Sequence, residues 1–110
     1  MPDTGSVSTE VPLRISLAES AVRDLEAVRD WYVSESAPEV GARLVREILA
    51  SLDQLVDFPE SGRVVPEFDQ PWLRELVRPP FRSVYRLDAD RIRVVRIWRS
   101  EPLIANPPAE

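Results

Sequence analysis

The chain has 110 residues, 44% of them hydrophobic, with no cysteine, no histidine and a formal net charge of −5. That size suits one small domain with one core. The missing residue types exclude disulfides, thiolate or imidazole metal sites, and Ser-His-Asp or Cys-His nucleophiles; all 14 basic residues are arginine, which also excludes lysine Schiff bases and a lysine-bearing phosphate loop.

No run approaches the roughly 18 apolar residues of a membrane span. Met1-Pro-Asp-Thr-Gly-Ser6 lacks the basic-then-apolar order of a signal peptide. The expectation is a cytoplasmic protein with no membrane contact. Residues 1–11 are small and polar and read as a flexible arm. Pro12-Leu-Arg-Ile-Ser-Leu17 then alternates as a half-buried strand would. Ser16-Leu-Ala-Glu19 has capping-box spacing, and Ala21, Leu25, Val28 and Tyr32 recur at helical intervals to about residue 35. Ser36-Ala-Pro-Glu39 repeats the start signal for a second helix. Its stripe is Leu44, Ile48, Leu52 and Leu55, widened by Val45, Leu49 and Val56, and it runs to the break at Phe58-Pro59. The short link between the two helices predicts an antiparallel hairpin.

Glu60-Ser-Gly62 turns the chain, and Arg63–Pro71, broken by Pro66 and Pro71, reads as irregular. Three strands follow: Leu73–Arg78, Phe81–Leu87 and Arg91–Arg99. Pro79-Pro80 marks the first connection and Asp88-Ala-Asp90 the second. The order β-α-α-β-β-β predicts an α+β fold over residues 12–101, a helical hairpin packed on a small, mainly antiparallel sheet, with 102–110 as a flexible tail.

Charge divides the chain. Trp72–Ser100 carries eight arginines against three acids, a local +5, whereas residues 1–60 carry five arginines against twelve acids, or −7. Overall acidity argues against a general nucleic-acid binder, but the basic block permits a focused anionic partner. The alternative is that these arginines are solvated strand faces paired with acids on the helices. Period two puts Arg82, Val84 and Arg86 on one face of the middle strand, with Phe81, Ser83, Tyr85 and Leu87 facing the helices. The last strand alternates into two mixed faces, so its buried side is not legible. An open face lined by Arg82, Arg86 and part of the last strand could hold RNA phosphates or an acidic protein segment. Trp72 and Trp98 are candidate interface residues, and Trp31 reads as core. No metal or cofactor is implied, and any catalysis would fall to arginine, carboxylates, hydroxyls, Tyr32 or Tyr85.

Five segments then carry a family likeness: Ala21-Val-Arg-Asp-Leu25, Phe58-Pro-Glu-Ser-Gly62, Leu73-Arg74, Phe81-Arg-Ser-Val-Tyr-Arg86 and Ile92-Arg-Val-Val-Arg-Ile97. In this order, across residues 13 to 101, the sequence resembles the RelE/ParE superfamily of type II toxin-antitoxin toxins. The resemblance implies a stress-response toxin held by a small cognate antitoxin in a toxin-antitoxin hetero-oligomer. Two activities divide that superfamily. Likeness to the ribosome-dependent mRNA endonucleases would make Arg74, Arg78 and Arg82 catalytic, steadying the scissile phosphate. Those nucleases also carry a basic and aromatic cluster after the last strand, where this chain has Ser100-Glu-Pro-Leu-Ile. ParE-like members also often carry a basic run there, which Glu101-Pro102 does not match. The long helical hairpin and the missing cluster are more ParE-like, which implies a protein-binding inhibitor of DNA gyrase rather than an enzyme. Its partner surface would then be Arg82, Arg86, Arg96, Arg99, Trp72 and Trp98, and reversing Arg82 and Arg86 together should abolish toxicity without unfolding. A third possibility is an inert module that only binds the antitoxin.

Overall fold

Ile15 and Leu17 of β1 (Arg14–Leu17) point toward the core, and the chain passes straight into α1 (Glu19–Ser34). The structure is a computed structural model that describes residues 14–100. The expected arm at 1–11, Pro12, Leu13 and the tail at 102–110 lie outside the described residues. The capping box does not form. Ser16 is held in β1 opposite Arg93, so Ala18 becomes the uncapped N-cap, and the Ser20 hydroxyl donates to the Val95 carbonyl at 2.6 Å.

α1 ends on Ser36, whose φ of 61° lets the Ala37 amide donate back to the Tyr32 carbonyl at 2.8 Å. Pro38 then occupies the first turn of α2 (Pro38–Leu52), where its missing amide hydrogen costs little. The hairpin is tight because Gly41 sits against α1; a Cβ there would lie 2.8 Å from the Tyr32 Cβ. The expected single second helix is two pieces. At Asp53 the amide donates to the Ala50 carbonyl, a tighter i→i−3 turn, before α3 (Gln54–Asp57). Leu44, Ile48, Leu52 and Leu55 are buried as their spacing predicts, whereas Leu49 is exposed.

Five strands form one sheet in the order β1-β5-β4-β3-β2, with β3 (Leu73–Arg78), β4 (Phe81–Leu87) and β5 (Arg91–Arg99) as predicted. β1 runs parallel to β5, and every other pairing is antiparallel. β2 (Arg63–Val64) falls in the segment read as irregular; its two residues, paired with Glu75 and Arg74, are too few to show a period. The two long helices, α1 and α2, lie on one face, where Ala21, Leu25, Leu44 and Ile48 meet Phe81, Tyr85, Ile92 and Val94. Each fully buried Leu or Ile contributes about 1.5–3 kcal/mol, so this one layer holds the domain together.

A β-bulge explains why the last strand has no legible buried side. Val84 pairs with Arg96 and Tyr85 with Val94, leaving Val95 opposite no residue of β4. The extra residue resets the alternation. Ile92 and Val94 point inward before it and Ile97 after it, so Arg96 and Trp98 fall on the open face. Trp31 is not core: it is 51% exposed, edge-on to the Tyr32 ring at 4.8 Å.

Candidate functional site

Cross-strand partners share a face, so the registers define what the helix-free side of the sheet carries. Across its middle run Arg63, Glu75, Val84 and Arg96, and beside them Val77, Arg82 and Trp98. Glu75 is 1% exposed, and a carboxylate so deep needs compensation. It accepts from Arg63 Nε and from Arg82 Nη1, both at 2.6 Å. Arg82, expected as an exposed grip on a partner, is itself only 9% exposed. Its Nη2 reaches Glu67 at 3.5 Å, and its guanidinium lies 5.1 Å from the Trp98 ring centroid. Glu67 is held below the ordinary carboxylate range, first by the hydrogen bond from its backbone amide and then by Arg82. Arg82 is therefore the centre of a structural charge network.

Trp98 is flanked by a second cation, since Arg96 also sits 5.1 Å from its ring. β1 ends at Leu17, so the far half of β5 has an open edge, and Asp24 of α1 closes it. Its carboxylate accepts from Arg96 at 2.8 and 3.1 Å and from the Ile97 amide at 2.8 Å. That pairing holds the Arg96 guanidinium protonated above the usual arginine value.

The other end of the open face is different in kind. Leu73, Arg86 and Arg93 align across it, and Arg91 and Arg14 form the next row. Arg86 lies 5.2 Å from the ring of Trp72, which is 45% exposed. Among the described residues the one ion pair of Arg86 is with Asp88, at 3.8 Å. Here arginine and tryptophan stand in solvent with little to hold them.

Arg74, Arg78 and Arg99 are turned to the opposite, helix side. Arg74 donates to the carbonyls of Pro71 (2.9 Å) and Gly62 (3.0 Å), and Arg78 to Gln54 Oε1 (2.7 Å). Arg99 bonds the Tyr32 hydroxyl at 3.1 Å and lies against the Trp31 and Phe81 rings. The candidate phosphate-binding trio is therefore split, with Arg74 and Arg78 on one side of the sheet and Arg82 on the other. Of the candidate partner surface, Arg86 with Trp72 and Arg96 with Trp98 stay on the open face, Arg82 is submerged between them, and Arg99 is not part of it.

Tyr85, one of the two tyrosines among the groups to which catalysis could fall, is also engaged. Its hydroxyl donates to the Pro59 carbonyl at 2.7 Å and accepts from the Gly62 amide at 3.1 Å, and burial pushes its pKa up. This explains Gly62, where a Cβ would lie 2.6 Å from the Tyr85 hydroxyl. Sequence reasoning missed Arg14, Arg91 and Arg93 because it lacked the parallel β1–β5 register. It missed Glu75 although a single acid inside Leu73-Arg-Glu-Leu-Val77 is a visible anomaly.

A family model described as the ParE toxin of type II toxin-antitoxin system, parDE, matches residues 15–102. Among solved structures, a chain of the chromosomal ParDE TA system from P. aeruginosa is 28% identical, with a TM-score of 0.66 over 79% of this chain and 95% of that one. No curated protein matches.

Proposed function

The chain belongs to the ParE toxin family of type II toxin-antitoxin systems, and on that premise we propose that it arrests growth by binding DNA gyrase and is held inactive by a cognate antitoxin. What carries the choice of a binding inhibitor over an mRNA nuclease is the split of the arginine trio. A nuclease must bring its cations to one phosphate and place a proton donor and acceptor beside it. Here Arg74 and Arg78 are satisfied on the helix side, Arg82 is paired to buried Glu75 on the other, and Tyr85 is tied to backbone.

A binding surface needs none of that convergence. It needs large, partly exposed anchors, and tryptophan and arginine are the residues most enriched among them. Trp72 with Arg86, and Trp98 with Arg96, supply two such anchors on one helix-free face. Each indole keeps its guanidinium oriented, which lowers the ordering cost when a partner lands. In this reading Arg82 acts from beneath, fixing Trp98 in place.

The test is a supercoiling reaction with purified gyrase and the purified chain. The wild-type protein should inhibit it, and the Trp72→Ala/Arg86→Glu variant, folded by circular dichroism, should not. Undiminished supercoiling with folded wild-type protein, together with cleavage of translated messages, would reject the gyrase reading in favour of the nuclease.

A further inference from the structure

Like charges directly opposite each other in a sheet are destabilising, yet Arg14 faces Arg91 across β1–β5 and Arg86 faces Arg93 across β5–β4. Four guanidiniums thus project from one end of the open face over three adjacent strands. Their compensation is poor. Arg86 reaches Asp88 only at 3.8 Å and Arg91 reaches Asp90 only at 4.0 Å, both on the exposed hairpin loop. Among the described residues Arg14 and Arg93 have no ion pair or hydrogen-bond partner. A polar cleft of about 360 Å³, lined by Arg14, Ile15, Ser16, Asp90 and Arg91, opens beside them. The contrast is with Arg63, Arg82 and Arg96 on the same face, each of which has a carboxylate within 2.8 Å.

We propose that this four-arginine end of the sheet docks a short, extended, acidic segment of the antitoxin, an inference that rests on the toxin reading above. Arg91 and Arg93 are two residues apart on one strand, about 6.6 Å, and each has an arginine neighbour about 5 Å across the sheet. Carboxylates at positions i and i+2 of an extended segment repeat at the same distance, so two acids would each meet a pair of arginines. Nucleic acid fits less well. Charged along its whole length, it would run from the patch onto Asp88 and Asp90 at one end and Glu67 at the other, on a protein of net charge −5. A segment with a few carboxylates ends inside the patch. Because Arg86 belongs both to this patch and to the proposed gyrase surface, the docked segment covers an anchor the target needs, and neutralisation follows by competition.

The test is NMR of the full chain, following the arginine Nε–H and tryptophan Nε1–H signals. The probes are a short blocked peptide with glutamates at alternate positions, its glutamine counterpart, and a single-stranded oligonucleotide of equal charge. The glutamate peptide should shift Arg86, Arg91, Arg93 and Trp72, and Arg91→Glu/Arg93→Glu should weaken it by about tenfold or more. Thermal unfolding of that variant should occur at the same or a higher temperature, because the like-charge register is relieved, whereas a structural role for the arginines would lower it. Equal binding by the glutamine peptide or by the variant would overturn the proposal, and so would tighter binding of the oligonucleotide. Growth of cells expressing the chain is scored separately. Harmless expression with the peptide shifts intact would remove the toxin reading and leave an acidic-segment site; arrest without the shifts would remove the site and keep the toxin.

Discussion

Arg82 and Arg86 are four residues apart on one strand face, and their environments give them opposite jobs. Removing one partner of a buried ion pair leaves the other charge uncompensated, at a cost of about 3–5 kcal/mol. Arg82→Ala and Glu75→Ala should each lose about that much in chemical denaturation, whereas Arg86→Ala should stay within about 0.5 kcal/mol of wild type. A small loss at Arg82 would show that the Glu75 network is not what holds the face. The corollary revises the expected double reversal of Arg82 and Arg86: the Arg82 half would disrupt the fold, so it cannot report on binding. Tyr85 gives a second test at this scale. Its neutral hydroxyl satisfies the Pro59 carbonyl and the Gly62 amide, so Tyr85→Phe should cost about 1–3 kcal/mol. The folded-state pKa is raised above the ordinary value of 10.0, mainly by burial. Stability tied to the neutral phenol is therefore fully present below pH 10.0 and fades as pH climbs through the raised value. Unfolding measured across alkaline pH should show that decline in the wild type, and it should be reduced in Tyr85→Phe.

At the scale of elements, the α1–α2 link stores a correctable cost. Ser36 holds a left-handed conformation with φ 61°, which costs an L-residue roughly 1 kcal/mol and costs glycine little. Ser36→Gly should therefore raise stability by about 0.5–1 kcal/mol, and a loss would mean that the serine side chain contributes something the backbone account omits. Gly62→Ala should go the other way, because its Cβ would collide with both the Tyr85 hydroxyl and the Glu75 carbonyl. How legible each element was follows from how local its cause is. The helix stripes and β4 could be read because their apolar periods are set by the side chains themselves. The Ser16 capping box misled because a tertiary pairing, Ser16 opposite Arg93, claimed that residue first. The extent of β5 could be read but its buried side could not, since the bulge at Val95 changes its phase midway and only the partner strand shows it. The candidate site suffered most. Alternation placed Arg86 on the open face correctly, but the burial of Arg82 depends on Glu75 of the neighbouring strand β3, and Arg14 joins the patch only through parallel pairing across 77 positions of sequence.

For the molecule as a whole, charge is sorted by layer: the helices carry an excess of acid, and the open face of the sheet carries half of the 14 arginines. That separation suits a protein that meets one partner through one face and avoids bulk nucleic acid with the rest. At this scale the two superfamily activities are told apart by their effect on the cell, because gyrase inhibition and message cleavage stop different syntheses first. The deciding measurement is pulse labelling of DNA and protein synthesis in the minutes after the chain is expressed without antitoxin. DNA synthesis should fall first, with translation following, and the Trp72→Ala/Arg86→Glu variant should leave both running. A fall in translation ahead of replication would contradict the gyrase-directed account.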